Sequence, residues 1–209
     1  TDASLGAIHV LRTDFFPGLG WMMPYTLWDE VRDTWPSAFW DDWLRDSNQR
    51  KGREFLRPEV SRTFHYGVKG GASFNVMKKL KKNLDNIFLN SHAIQWKKSG
   101  VSVESLEKKV YDESYYKVFA NATLVPRLDG NNEGMIMSKV KSGNLRMEYY
   151  ALDQFVQIAK MLGIMADEKD GVLRTAYKGI VEVRPNVGTY RLFIGPPLEQ
   201  VRKSLLGSS

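Results

Sequence analysis

Two adjacent carboxylates, Asp41 and Asp42, lie between two tryptophans in the run AFWDDW. Five of the six tryptophans of the chain fall between residues 21 and 43, and only Trp96 lies outside this stretch. Large aromatic rings exclude water, and a carboxylate held beside them is desolvated, which raises its pKa and makes it a better general base. The pattern therefore allows a catalytic carboxylate, although two surface residues of a helix flanked by core aromatics would give the same sequence.

A glycine-rich turn precedes the two carboxylates in the run FFPGLGW, which ends at Trp21. Pro17 fixes its own backbone φ angle, and Gly18 and Gly20 can adopt angles that other residues avoid. Such a turn can bring main-chain atoms close to a ligand, and it can equally be a plain connection between a strand and a helix. The turn and the carboxylates together form the candidate site.

Composition bounds the class of protein without selecting a function. The chain has 209 residues, of which 43% are hydrophobic, enough for one core and a small second subdomain. A net charge of +6 permits anionic partners, including nucleic acid or a nucleotide sugar. The absence of cysteine excludes disulfides and thiol chemistry. We find no apolar run long enough for a membrane span, no signal peptide, no glycine-rich phosphate loop and no histidine at zinc-ligand spacing.

Local patterns predict the elements that would position this site. Ser37 is the expected N-cap of a short helix that carries the carboxylates, and Gly163 is the expected end of the clearest amphipathic helix. The predicted helices cover residues 21–34, 40–45, 74–84, 104–119 and 151–162. The predicted strands cover residues 7–11, a short segment opening at Val60, and 123–127, 135–141, 144–149, 177–184 and 189–194.

Several separate runs resemble the N-acetylglucosaminyltransferase I family. In chain order they are RTDFFPGLGW at 12–21, WP at 35–36, AFWDDW at 38–43, QRKGR at 49–53, RPEVSRT at 57–63 and YKGIV at 177–181. Their order and spacing match nearly throughout, and the resemblance is weakest between residues 83 and 149. The protein O-mannose β-1,2-N-acetylglucosaminyltransferases share parts of this pattern, but they lose the second aspartate of the WDDW run.

The resemblance implies an α/β fold, the C-terminal portion of a GT-A type nucleotide-diphospho-sugar transferase fold with a small mixed α+β C-terminal subdomain. Residues 1–120 would form the acceptor and catalytic-base half of the transferase domain, residues 121–197 the small subdomain, and residues 198–209 a flexible tail. In this family an upstream half carries the nucleotide-binding sheet and an acidic metal motif. We therefore expect a fragment of a longer type II membrane enzyme of the Golgi lumen, inactive in isolation.

The implied reaction is an inverting transfer of N-acetylglucosamine from UDP-N-acetylglucosamine to O2 of the α-1,3-linked mannose of an N-glycan on a glycoprotein. By motif position the general base is Asp41, and Asp42 is the weaker candidate. Ala72 stands where the family has a serine that contacts the donor, which places that hydroxyl contact in doubt. The implied substrate-binding residues are Leu19, Trp40, Gly70, Gly71, Ala72 and Ser73.

The resemblance also sets expectations for cofactor and partners. Mn2+ would neutralise the leaving diphosphate, with its ligands in the missing upstream half and none in this sequence. Nucleic acid is not an expected partner, and membrane contact is expected only through an upstream anchor. Two alternatives stay open, namely a protein O-mannose β-1,2-N-acetylglucosaminyltransferase and a non-catalytic carbohydrate-binding relative.

Overall fold

The computed structural model describes residues 8–64, 89–90, 93–95, 102–139, 143–184 and 190–207. Within these residues the fold mixes helices with one four-stranded sheet and two two-stranded sheets. This agrees with the expected α/β class, while the GT-A topology stays a prediction. The predicted helix over residues 74–84 lies outside the described residues.

The N-terminal part of the chain is a β-ribbon with helices between its strands. Strand β1 is Val10–Thr13 and pairs antiparallel with β2, which is Phe55–Pro58. The helices between them are α1 Tyr25–Val31, a 3-10 turn Arg32–Thr34, α2 Trp40–Arg45 and α3 Ser47–Arg50. Leu11 and Thr13 are buried while the residues between and before them are half-exposed, so alternate β1 side chains face the interior.

Three boundaries in this part differ from the sequence-based expectation. Helix α1 begins after Pro24 and not at residue 21. Proline has no N–H group to donate the hydrogen bond that a helix interior requires, so it is tolerated only near the start of a helix. Ser37 is not the N-cap of α2; that position is Phe39, whose φ of 54° is left-handed. The strand expected to begin at Val60 is β2, which lies earlier in the chain and ends at Pro58. A proline is tolerated there because both strands of a two-stranded ribbon are edge strands.

The C-terminal part is built on the four-stranded sheet. Its strands are β3 Thr123–Leu124, β4 Leu145–Glu148, β7 Val181–Val183 and β8 Leu192–Gly195, in the spatial order β3-β4-β8-β7. The first three in that order run parallel, and β7 is antiparallel to β8. A small hairpin of β5 Glu168–Lys169 and β6 Val172–Leu173 precedes β7. The sheet is therefore mixed, with β8 at its centre.

Helices cover both faces of this sheet. They are α4 Lys108–Asn121, α5 Glu133–Lys139, α6 Leu152–Leu162 and α7 Leu198–Leu206. Leu192 and Ile194 of β8 join one apolar core with α6, whereas Phe193 joins a second core with α4 and α7. Because successive strand side chains point to opposite faces, β8 is buried on both.

Sequence patterns predict α6 well and the flanking helices poorly. The α6 helix is confirmed, and Gly163 ends it with a left-handed φ of 66°. The strand predicted over 135–141 is wrong, because residues 133–139 form α5 with Ile136 fully buried. The flexible tail predicted over 198–209 is wrong for residues 198–206, which form α7. The predicted domain boundary at residue 120 falls inside α4, which packs on the sheet.

Candidate functional site

The glycine turn lies against the helix that carries the two aspartates. Gly18 has a φ of 77°, and a Cβ built on it would lie 3.0 Å from Arg45 Nη2 and 4.0 Å from Asp41 Cβ. Gly20 has a φ of 58°, and its Cβ would lie 2.5 Å from a methyl carbon of Thr63. Both positions therefore need glycine for backbone angle and for space. The structure brings the turn and Asp41 together, as the sequence analysis expects.

Asp41 and Asp42 occupy the first turn of α2, where the N-terminal end of the helix dipole favours negative charge. Their side chains are 40% and 50% exposed. The expectation that aromatic rings enclose and desolvate Asp41 is therefore wrong, because its carboxylate meets an arginine and solvent. That exposure leaves the carboxylate open to an incoming hydroxyl group.

Arg45 fixes both carboxylates to the glycine turn. Its Nη1 atom donates to Asp41 Oδ2 at 2.9 Å and to Asp42 Oδ1 at 3.1 Å. Its Nε atom donates to the main-chain oxygen of Phe16 at 3.2 Å. The guanidinium also lies 4.8 Å from the ring centre of Phe15 and is almost fully buried. Sequence analysis missed this residue, although its i+4 spacing from Asp41 on a helix indicates such a pair.

An aromatic cluster stands beside the carboxylates. Trp40 belongs to this cluster, and its ring centre lies 6.0 Å from that of Phe16, 5.3 Å from that of Trp21 and 6.3 Å from that of Trp35. Trp35 in turn contacts Trp43 at 5.7 Å. The indoles thus pack mainly on one another, which explains why they support α2 without enclosing Asp41. Trp40, which is one of the predicted substrate-binding residues, therefore lies within this aromatic cluster.

The other predicted substrate contacts divide into two groups. Leu19 is 45% exposed in the turn directly after Gly18, so its side chain is accessible to a ligand. The loop residues Gly70, Gly71, Ala72 and Ser73 lie outside the described residues. Leu19, Trp40 and Asp41 therefore form the part of the predicted site that the structure describes.

A second polar cluster, which sequence analysis missed, lies behind the turn around Glu54. This carboxylate is 5% exposed and accepts from Arg12 at 2.9 Å and from Lys178 at 2.6 Å, with Lys108 at 3.1 Å. Burial raises the pKa of Glu54, but hydrogen bonds from Lys178, Lys108 and Arg12 outweigh it and lower that pKa to about 2. The ionised form is thus strongly favoured in the folded protein.

Tyr177 and Asp112 extend this cluster to helix α4. The Tyr177 hydroxyl donates to Asp112, which also pairs with Lys108. Burial raises the pKa of the Tyr177 hydroxyl far above its ordinary value, and the hydrogen bond to Asp112 raises it further. Tyr177 therefore remains a neutral donor, and the cluster joins β1, the segment after α3, α4 and the segment before β7. Its saturation with internal partners indicates a structural role.

Two motifs far apart in the sequence meet at this cluster. Thr13 Oγ1 donates to the main-chain oxygen of Ala176 at 3.0 Å and accepts from the N–H of Phe15 at 3.1 Å. The N–H of Asp14 donates to the same Ala176 oxygen at 2.9 Å, and Asp14 Oδ2 accepts from the N–H of Lys178 at 2.6 Å. The RTDFF run is therefore docked on the segment that contains the YKGIV run.

The described residues do not supply a metal centre. Across the parts of the chain that the structure describes, no group of three or more His, Cys, Asp or Glu side chains could hold an ion. The acidic and histidine side chains of the described residues therefore do not form a site that fits Mn2+, and we assign no Mn2+ ligand among them. None of the helices in the same parts combines the length and apolar character that crossing a bilayer requires.

Comparison with known proteins identifies a matching family and a similar curated protein. A model of the GNT-I family matches residues 2–204. The alpha-1,3-mannosyl-glycoprotein 2-beta-N-acetylglucosaminyltransferase of Arabidopsis thaliana is 35% identical over 185 residues, which is 88% of this chain. The matched part is 40% of the length of that relative. The family-model match includes the glycine turn, the indole cluster and the WDDW run.

Proposed function

The chain belongs to the GNT-I family, and from this premise we propose that it is the C-terminal part of a longer N-acetylglucosaminyltransferase whose general base is Asp41. The donor would be UDP-N-acetylglucosamine, and the acceptor O2 of the α-1,3-linked mannose of an N-glycan. The name of the Arabidopsis relative supports this sugar and this acceptor class. The complete WDDW run of this chain favours the N-glycan acceptor over an O-mannosyl one.

The observation that carries the proposal is the fixed but open position of Asp41. A general base must be held in one orientation and still be reached by the hydroxyl group that it deprotonates. Arg45 provides the orientation through its 2.9 Å contact with Asp41. The 40% exposure of the Asp41 side chain provides the access. Leu19 is exposed in the same turn, directly after the Gly18 that lies against Asp41.

The proposed step is a single displacement. Asp41 takes the proton from the mannose O2 hydroxyl while that oxygen forms a bond to C1 of N-acetylglucosamine. The bond from C1 to the diphosphate oxygen breaks on the opposite face, and UDP leaves with the electron pair, so the product is a β-glycoside. One carboxylate suffices, whereas a retaining glycosidase needs two. Mn2+ would stabilise the charge of the leaving diphosphate, and we propose that its ligands belong to an upstream half.

The test is an Asp41→Asn substitution in the full-length protein that carries this chain. We expect turnover with UDP-N-acetylglucosamine and a mannose-terminated N-glycan to fall by about two orders of magnitude or more, the range for loss of a general base. Asp42→Asn is the matched control, because Asp42 shares Arg45 but does not act as base, and its loss should be under about tenfold. Near-normal turnover by the Asp41→Asn protein would contradict the assignment.

Measuring transfer to two different acceptors distinguishes the proposed function from its two alternatives. We propose transfer to a mannose-terminated N-glycan in preference to an O-mannosyl peptide, with the enzyme anchored in the Golgi by an upstream segment. The reverse preference would indicate the protein O-mannose enzyme. Glycan binding without transfer to either acceptor would indicate a non-catalytic relative, to which the Ala72 departure gives slight support.

A further inference from the structure

One tripeptide of the chain has a chemistry that the proposed transfer reaction does not use. Asn121, Ala122 and Thr123 form the run NAT, and no other asparagine of the sequence is followed two positions later by serine or threonine. In proteins that enter the secretory route this pattern is an acceptor of N-linked glycans, provided that the middle residue is not proline. Because the pattern is short, its place in the fold decides whether a glycan can be accommodated.

The tripeptide joins helix α4 to strand β3 at the surface. Asn121 is the last residue of α4, and Thr123 is the first residue of β3. Both are exposed, whereas Ala122 between them is 4% exposed and belongs to the second core. The main-chain oxygen of Ala122 also accepts from Arg146 Nε at 3.2 Å. The middle residue is thus anchored inside, and the two residues that the modification needs face solvent.

The fold makes no use of the two polar side chains. Among the described residues, neither the Asn121 amide nor the Thr123 hydroxyl has a hydrogen-bond partner. Thr123 is held through its main chain instead, because its N–H group donates to the Asn144 oxygen at 2.9 Å. A glycan on the Asn121 amide therefore breaks no hydrogen bond that the described residues make.

The surface around Asn121 leaves room for a bulky group. On a helix the residues three and four positions earlier are neighbours of a side chain, and here they are Val118 and Lys117, which are both exposed. Lys108, which pairs with Glu54 at 3.1 Å, lies near the other end of α4. The helix rises about 20 Å between Lys108 and Asn121. A glycan would therefore stand away from the Glu54 cluster behind the glycine turn.

We propose that Asn121 is a modification site that carries an N-linked oligosaccharide. The donor is an oligosaccharide on a lipid diphosphate, and an oligosaccharyltransferase of the cell catalyses the step. The amide nitrogen of Asn121 forms a bond to C1 of the oligosaccharide and loses one proton. The bond from C1 to the diphosphate oxygen breaks, and the lipid diphosphate leaves with the electron pair. The proposal rests on the proposed function for the passage of the chain through the secretory route.

The occupancy of Asn121 is measured on the full-length protein produced in eukaryotic cells. Trypsin releases residues 118–127 as one peptide, because Lys117 and Arg127 define its two ends. Peptide-N-glycosidase in water labelled with heavy oxygen should convert Asn121 of this peptide into a labelled aspartate, which mass spectrometry detects. A peptide that is recovered with an unmodified asparagine, before and after the enzyme, would overturn the proposal.

A pair of substitutions at Thr123 separates N-glycosylation from other changes at Asn121. Thr123→Val should abolish the labelled aspartate, since it keeps Asn121 and suits a strand but removes the hydroxyl group that the acceptor pattern requires. Thr123→Ser is the matched control and should keep the modification, because serine satisfies the same pattern. Labelling that persists in Thr123→Val would show that it does not come from an N-linked glycan.

This proposal and the proposed function fail in different ways. Asn121→Gln should lose the glycan and transfer N-acetylglucosamine as the unmodified sequence does, because Asn121 lies outside the site around Asp41. Normal transfer by a protein whose Asn121 is bare would defeat the modification site alone. A glycan on Asn121 in a protein that transfers to neither acceptor would defeat the proposed function alone.

Discussion

The buried guanidinium of Arg45 explains how an exposed aspartate can still be held in place. Both carboxylates of the WDDW run share its Nη1 atom, and its Nε atom is bound to the main chain of the glycine turn. Removing Arg45 would release Asp41 and the turn together, which makes Arg45 a positioning residue. A glycine at position 18 is required because any side chain there would meet the same guanidinium.

Phe39 holds an unfavourable backbone conformation directly before Trp40. Its φ of 54° costs a non-glycine residue roughly 1–2 kcal/mol, and its ring is 61% exposed, so packing contributes little there. We expect Phe39→Gly to be more stable to urea than Phe39→Ala by about 1 kcal/mol, because both lack the ring but only glycine relieves the strain.

Lys109 lies at an exposed position of α4 and provides a control, because there the stability difference between the glycine and the alanine variant should have the opposite sign. In a helix Lys109→Gly should be less stable than Lys109→Ala by about 1 kcal/mol. Equal stability of the two Phe39 variants would mean that the left-handed conformation is not imposed by the fold.

Glu54 should make the stability of the protein sensitive to acid. Its pKa is lowered from 4.5 to about 2 in the folded protein, so its stabilising effect is complete above pH 4.5 and is lost as the pH falls through about 2. Glu54→Gln should therefore cost about 3 kcal/mol at pH 7, since it removes the carboxylate that pairs with the largely buried Arg12 and one of the two carboxylates that pair with Lys178 and with Lys108. The difference from the unmodified protein should shrink between pH 4.5 and 2.

Urea unfolding of both proteins across this pH range measures the difference. Glu199→Gln is the control, because Glu199 pairs with Arg202 at 3.1 Å on the exposed surface of α7 and should cause no comparable change. A Glu54→Gln effect that is the same at pH 3 and pH 7 would show that the ionised form is not what stabilises the fold.

At the scale of elements, local signals decide which helices the sequence reveals. Helix α6 has an apolar stripe and a glycine stop, and both are visible in the sequence. Helix α5 follows a turn in which the Asp129 side chain accepts from the N–H groups of Asn131 and Asn132. Its alternating methionines resemble a strand, and this turn chemistry overrides them.

Helix α7 was missed because its stripe is short and depends on the sheet. Leu198, Val201 and Leu205 recur at helical spacing after Pro197, a signal that was present but weak. Their burial follows from packing against Phe193 and Phe119, which lie in other elements far along the chain. The candidate site divides in the same way: motifs identify Asp41, whereas Arg45 and Glu54 become visible only when the elements are packed.

Adjacent leucines at the end of α7 test whether this helix is part of the folded core. Leu205 is 7% exposed and Leu206 is 44% exposed. Leu205→Ala should cost about 2–4 kcal/mol in the free energy of unfolding, since it leaves a cavity in the second core. Leu206→Ala should cost under about 1 kcal/mol because its side chain is largely in water. Equal small losses, measured by urea unfolding, would support a flexible tail instead.

At the scale of the molecule, the RTDFF run joins the part that carries Asp41 to the four-stranded sheet. The hydrogen bonds of Thr13 and Asp14 with Ala176 and Lys178 join residues more than 160 positions apart in the sequence, and those of the Glu54 cluster join residues up to 124 positions apart. Such contacts are invisible to local patterns, which is why a division at residue 120 followed from sequence alone. They predict that the two parts unfold together.

Thr13 is where this coupling can be tested. Its side chain is fully buried, and Thr13→Val keeps its shape while leaving the Ala176 oxygen and the Phe15 N–H with one partner fewer, at a cost of about 1–3 kcal/mol. Thr13→Ser is the matched control, because it keeps the hydroxyl. Hydrogen exchange should show that Thr13→Val lowers the protection of α2 and of β8 by the same free energy, because both belong to one cooperative unit. If α2 alone lost protection while β8 kept it, the two parts would be separate domains, and the hydrogen bonds of the RTDFF run would be a contact between them rather than a shared core.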